Sequence, residues 1–334
     1  MIKTIRPHVA GDKREHFQNS EPMTGLGFDP VVISVWLYYR DQMTQGGIAE
    51  LLGVSRASVI NYLDEGRRRG LVQITVDEAA LRQVSFAKEM VEQYGLADCI
   101  VIPDDGGAAH PSVRIGHAGA LLLAREIRPK DRLGVASGRS VLALSTAMPI
   151  MSLSEVQVVQ VTGSMTARNA FSPELCTSNI AQRIGGDTFS LHAPIFVSSR
   201  NVRDILMNEP ALIEQFERIH SCNCVVFGIG ALDCAGTVAL SGLFTAEEIN
   251  AYVGKGAVGM ILGNFVDDQG AQVSGAYDGR LIGMTIDDLQ HIPQRICVAG
   301  GPEKIAVLRG ALKAGYVTDF VIDEATAAAL LRPH

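Results

Sequence analysis

With 334 residues, 47% apolar and 19% charged, the chain is long enough for two domains around a large core and too apolar for a disordered protein. A net charge of −7 argues against nucleic-acid contact over the whole surface, and no apolar run reaches the length of a membrane-spanning helix. Six cysteines without paired spacing argue against a disulfide framework or a zinc site and suit a reducing cytoplasm, so no metal or cofactor is expected.

Residues 1–29 are polar and predict a flexible tail. Pro30–Gln42 predicts a first helix, with Val31, Val35, Trp36 and Tyr39 as its inner stripe and the only tryptophan in the core. A second helix opens at Thr44 or Gln45, with Ile48, Leu51 and Leu52 on one face, and Gly53 ends it as a left-handed residue does. Val54 plugs the corner and Ser55 caps a third helix. That helix turns Val59, Ile60 and Leu63 inward and Arg56, Ser58, Asn61 and Tyr62 outward. Two short helices around a Gly-containing turn fit a helix-turn-helix, whose second helix enters the DNA major groove, although a plain helical hairpin has a similar pattern. The small Ala49 and the Arg67-Arg68-Arg69 run favour the DNA reading, and Gly70–Val76 alternates like the strand of a wing. Thr44, Gln45, Ser55, Arg56, Ser58, Asn61 and Arg67 are the candidate DNA contacts within a DNA-binding domain at 30–76. Met1–Val76 carries nine Lys/Arg against eight Asp/Glu, 9 − 8 = +1, which leaves −8 on the rest. DNA contact is therefore expected to stay within the first domain, and two copies on a two-fold site should grip far better than one.

Residues 77–95 predict an amphipathic linker helix, and 96–334 a second domain. There, short apolar strands are expected at Cys99–Ile102, Leu133–Val135, Val156–Val161, Phe189–Leu191, Cys224–Phe227, Val258–Leu262, Ile296–Ala299 and Phe320–Ile322. Helices are expected at Ser112–Ile127, Arg139–Met148, Pro173–Ile184, Arg203–Ile219, Ala246–Tyr252, Pro302–Ala314 and Glu324–Leu331. Their alternation predicts an α/β, Rossmann-like domain with a largely parallel sheet covered on both faces and a ligand at the carboxyl ends of its strands. His110 and His117 lack ligand spacing and read as ordinary residues.

Four turns follow strands directly. Ala136-Ser137-Gly138-Arg139-Ser140 offers hydroxyls, a helix N-terminus and a guanidinium to an anion, or is a tight turn that needs Gly for geometry alone. It is not a dinucleotide fingerprint, because GxGxxG is absent. In Gly300-Gly301-Pro302-Glu303-Lys304 the lysine sits in a first helical turn, where the dipole disfavours a cation, so it serves an anion or is solvated. Gly228–Asp233, with Gly230, is a third strand-end loop. Asn264–Asp267 is a fourth, with Asp267 as acceptor of sugar hydroxyls or a plain loop carboxylate.

The blocks MTQGGIAELLGVSRASV, LGVASGRSV, VVFGIGAL, GAVGMILGNFVDDQG and ICVAGGPEKIAVLRGALKAGYVTDFVIDEATAAALL, in this order, resemble the SorC (SorC/DeoR-like) family of bacterial sugar-responsive regulators from about residue 30 to the C-terminus. The resemblance implies a helix-turn-helix (winged-type) domain and an effector domain similar to sugar-phosphate isomerase and CoA-transferase folds. It also implies dimers or tetramers, and operator DNA binding altered by a sugar, polyol or sugar phosphate. By position, Ser137, Gly138, Arg139 and Ser140 resemble the family's phosphate loop, Asp267 its hydroxyl-binding acid and Lys304 its basic pocket residue. Ala136, Ser140 and Asn264 depart from the residues more frequent there, which bears on effector size, phosphate position and one polar contact.

The leading function is a transcriptional regulator of a carbohydrate or polyol catabolic operon, not an enzyme. The rival is a sugar-phosphate isomerase-like enzyme on the same fold, which needs a general base such as Asp233, Asp267 or Glu303. A ligand-independent scaffold leaves the strand-end turns unexplained.

Overall fold

The computed structural model describes residues 29–72, 85–103, 111–165, 171–233 and 237–332. They fall into two compact units, one within Met1–Val76 and the other within Asp77–His334. The expected tail, most of the wing strand, the first half of the linker helix and His110 lie outside the described residues.

The first unit contains α1 (Pro30–Val35), which continues as a π turn over Trp36–Arg40, then α2 (Gln45–Leu52) and α3 (Arg56–Arg68). Each helix begins on a side-chain cap. Asp29 accepts from the Val31 N–H at 2.9 Å, Thr44 from Gly47 at 3.1 Å and Ser55 from Ser58 at 3.1 Å. Gly53, at φ +66, ends α2 in the left-handed conformation. Caps contribute about 1 kcal/mol each, and helices this short are marginal alone. Burial of Ile48, Leu52, Val59 and Leu63, at about 1.5–3 kcal/mol per side chain, therefore outweighs the caps in holding the unit.

Two inner-face expectations are corrected. Trp36 is 59% exposed, because it lies one turn beyond Val32 on the outer face rather than in line with Val31 and Val35. Ile60 is 41% exposed, because it sits one turn beyond Arg56, whereas the inward stripe runs Val59, Leu63, Gly66.

In the second unit, seven strands form a parallel sheet. They are β1 (Asp98–Ile102), β2 (Arg132–Val135), β3 (Gln157–Gln160), β4 (Asp187–Phe189), β5 (Cys224–Phe227), β9 (Gln294–Val298) and β10 (Asp319–Asp323), in the order β1-β10-β9-β5-β2-β3-β4. The remaining three, β6 (Ile229–Ala231), β7 (Gly259–Ile261) and β8 (Asn264–Val266), pair antiparallel in a separate small sheet. Helices cover the large sheet on two sides. One core gathers Val101, Val225, Phe227, Val307 and Phe320, and the other Ile100, Leu123, Leu133, Leu144 and Val226, so adjacent strand residues alternate between them.

Several expectations change here. The helix read as a linker, described over Ser85–Tyr94, is part of the second unit: Ala87 and Met90 are buried, and the Tyr94 hydroxyl donates to the Leu330 carbonyl at 3.0 Å. Val258–Leu262 supplies β7, outside the parallel sheet, and the expected loops Gly228–Asp233 and Asn264–Asp267 contribute β6 and β8. The strand expected at Phe189–Leu191 lies at Asp187–Phe189. The helix expected over Arg203–Ile219 is two, Arg200–Leu206 and Pro210–His220, broken where Pro210 opens the second. A helix at Ile286–His291 was not expected, although Thr285 and Asp288 form a capping box at its start.

The five described cysteines are buried and unpaired, and burial pushes the Cys176 and Cys222 thiols up to about 12, away from thiolate chemistry. Among the described residues, no helix is long and apolar enough to cross a membrane and no His/Cys/Asp/Glu group is arranged to hold a metal.

Candidate functional site

Sheet order decides which loops meet. Because β9, β5, β2 and β3 are consecutive neighbours, the segments leaving their carboxyl ends emerge side by side. These are Ala299–Lys304, Gly228–Gly230, Ala136–Ser140 and the turn through Thr162. They surround a cavity of about 90 Å³. Ser137, Gly138, Arg139, Ser140, Gly230 and Lys304 all line it.

The helix Arg139–Ala147 starts at this cavity after Gly138, whose φ of +139 favours glycine. On the opposite loop, the Gly301 N–H donates to Asp323 Oδ2 at 3.1 Å and Thr326 Oγ1 at 2.8 Å. A Cβ on Gly300 would run into that same Asp323 carboxylate, so only glycine lets the loop close. The short turn Pro302–Lys304 follows and holds Lys304 at 5% exposure. Burial lowers its pKa; the Glu303 carboxylate opposes that shift, and the Arg139 guanidinium adds to it.

Among the described residues, three buried polar atoms here have no hydrogen-bond partner: Arg139 Nε, Thr162 Oγ1 and Asp233 Oδ1. Arg139 and Thr162 line the cavity. An unpartnered guanidinium N–H beside the buried Lys304 ammonium describes a place for an anion, since each such orphan costs about 1–3 kcal/mol while unsatisfied. The rest of the lining includes the apolar Phe171, Ile195, Val238, Leu243, Met260 and Leu262.

Asp267 is not brought to this cavity. Its Oδ1 accepts from the Gln269 and Ala271 N–H groups, each at 2.9 Å, which makes it the cap of its own turn. Asn264 is also used internally, its amide donating to the Ile261 and Leu262 carbonyls at 3.2 Å. Sequence reasoning missed Thr162 and the apolar wall. Thr162 opens a Thr-Gly-Ser turn after β3 that was passed over, and the apolar wall is gathered from separate segments that only the fold brings together.

In the first unit, Arg56 and Asn61 are exposed on α3, and Ser58 is half-buried beside its cap. Arg56 Nε donates to Gln45 Oε1 at 3.3 Å, tying the starts of α2 and α3 together, with Thr44 and Ser55 as their caps. The arginine run is not free: Arg67 pairs with Asp64, Arg68 with Glu65, and Arg69 with both Glu65 and Asp29. Such exposed pairs are worth about 0–1 kcal/mol, so phosphates can displace them at small cost.

A family model described as "Putative sugar-binding domain" matches residues 79–332. The chain is 34% identical over 310 residues to the uncharacterized transcriptional regulator YjhU of Escherichia coli strain K12, spanning 91% of this chain and 94% of that protein. It is 27% identical over 300 residues to the erythritol catabolism regulatory protein EryD of Brucella abortus strain 2308, spanning 89% and 95%. The full-length sorbitol operon regulator SorC from Klebsiella pneumoniae is similar in structure, with a TM-score of 0.68 at 25% identity, over 90% of this chain and 98% of that one.

Proposed function

The chain belongs to the SorC-like family of sugar-binding transcriptional regulators, and from that premise we propose that a phosphorylated sugar or polyol bound between Ser137–Ser140 and Lys304 controls its grip on operator DNA. The observation that carries this reading is the pair of cations, Arg139 and Lys304, on one cavity, with Arg139 Nε buried and unpartnered. A phosphate satisfies both in a way that a neutral polyol does not. The relatives EryD and SorC are named for erythritol catabolism and the sorbitol operon, which puts the regulated genes in carbohydrate or polyol catabolism.

In the first unit, α3 is the recognition helix. Arg56, Ser58 and Asn61 face the groove, and Thr44, Gln45, Ser55 and Arg67 lie toward phosphates. The protein works as a homodimer or homotetramer in the cytoplasm, because a unit of charge +1 needs a second copy to hold a two-fold site. Effector acts by binding one arrangement of the paired units better than another. Catalysis is not part of this reading: every relative named above is a regulator, and steady turnover of pentose or hexose phosphates by the purified protein would restore the isomerase alternative.

The test is a thermal-shift screen of the full chain against erythritol, sorbitol and their phosphates, followed by gel shifts on DNA flanking its own gene. A ligand that binds only the folded protein raises the melting temperature. The expected result is a rise with phosphates alone, a changed gel shift with the same compounds, and loss of the shifted band in Asn61→Ala. Equal rises with the unphosphorylated compounds would remove the anion site from the mechanism.

A further inference from the structure

Between β7 and β8 the chain reverses through two residues, Leu262 and Gly263, with φ of +49 and +86. Positive φ at both central positions is the geometry of the hairpin turn in which Asn, Asp or Gly is favoured at the first position. A leucine there is an outlier, because its Cβ crowds the backbone in the left-handed region. Strain of this kind persists only where the surroundings over-determine it and concentrates at functional sites.

The surroundings do so here. The Asn264 side-chain amide donates to the carbonyls of both Ile261 and Leu262 at 3.2 Å, locking the tip. At φ +86 a side chain on Gly263 would be strained, and its Cβ would also push aside the end of the Leu281 side chain, 2.7 Å away. Leu262 is 5% exposed and lines the effector cavity. A second cavity of about 240 Å³ lies beyond this tip, bordered by Arg200, Arg203, Gln272 and Thr285. Gly263 borders both cavities. The neighbours Ile195 and Phe196 divide likewise, the first lining one cavity and the second the other.

We propose that Leu262 is the partition between these cavities and fixes the length of effector that the site accepts. The proposal rests on the effector reading above. A ligand anchored by its anion at Arg139 and Lys304 extends until it meets the leucine. The polar groups of the second cavity, which suit hydroxyls, stay out of reach while the leucine stands. The left-handed strain is retained because a residue that relaxes the turn by losing its side chain also opens the wall.

The experiment is calorimetric titration of the full-length wild type, Leu262→Gly and Leu262→Asn with glycerol 3-phosphate, erythritol 4-phosphate, ribitol 5-phosphate and sorbitol 6-phosphate. Glycine adopts the left-handed turn and deletes the wall. Asparagine adopts the same turn and keeps a side chain of similar length. The expected result is a length preference in the wild type that moves to longer phosphates by about tenfold in Leu262→Gly, while Leu262→Asn retains the wild-type order. The same order in all three proteins, or the same change in both variants, overturns the partition. If no protein binds any member of the series, the effector reading falls and the partition with it. Erythritol 4-phosphate binding with no length effect removes only the partition.

Discussion

At Lys304 the folded chain holds an ammonium group where burial opposes its charge and Arg139 opposes it further. An arrangement that costs stability in the empty protein and is relieved by an anion is the trade expected of a binding site. Lys304→Met keeps the stem and removes the charge. The expected outcome is an unloaded protein that melts no lower than wild type and a phosphate affinity reduced about 10–100-fold, the worth of a hydrogen bond to a charged group. Differential scanning calorimetry with and without the phosphate found in the screen measures both. A lower melting temperature together with unchanged affinity would make Lys304 structural. Thr162 marks how far residue-level reading reaches. Lys304 was legible because a cation in a first helical turn is out of place, whereas nothing beside Thr162 in the chain marks its hydroxyl as unpartnered. Asp267 marks the opposite limit: the chain shows a strand-end carboxylate but not that its Oδ1 accepts from two backbone N–H groups of its own turn.

At the scale of elements, α3 packs against α1 at Gly66, whose missing Cβ makes room for the Val35 side chain. Valine is stiff at its first torsion, so the neighbour cannot swing away. Gly66→Ala is expected to destabilise the first unit by about 1–3 kcal/mol, the usual cost of overpacking, and to leave phosphate binding intact. Hydrogen exchange resolved by unit reads this as faster exchange in α1–α3 alone. At the amino ends of the large sheet, Asp98 and Asp319 stand opposite each other in register, and burial raises the Asp319 carboxyl pKa, with Asp98 adding to the rise. A carboxyl raised in the folded state is penalised once ionised, so its contribution falls as pH rises through that folded value. Asp319→Asn is therefore expected to stabilise at pH 7, with the gain disappearing below the ordinary carboxylate range of about 4. Denaturant melts at the two pH values check the sign. The parallel sheet was readable because its strands are short apolar runs spaced by helices. The three-stranded sheet was not, because Ile229–Ala231 and Asn264–Val266 are three-residue strands beside glycines, and that pattern reads equally as loop.

For the whole molecule, the division of charge matters more than its total. A first unit of +1 attached to −8 keeps the DNA-attracting surface small, and on the proposed reading operator affinity then depends on pairing copies, which effector changes. Linkage makes this reciprocal: whatever factor the effector imposes on operator affinity, operator imposes on effector affinity. Calorimetric titration of the phosphate with and without saturating operator duplex is expected to return the same factor as gel shifts with and without phosphate. Equal phosphate affinities in the presence of a strong gel-shift effect would place the control outside binding equilibrium. The outward position of Trp36 provides a way to watch one half of this system separately. As the only tryptophan of the chain, 59% exposed on the first unit, it makes intrinsic fluorescence excited near the red edge of indole absorption a signal from that unit alone, so its quenching and emission colour report events at the DNA-binding end with no label attached.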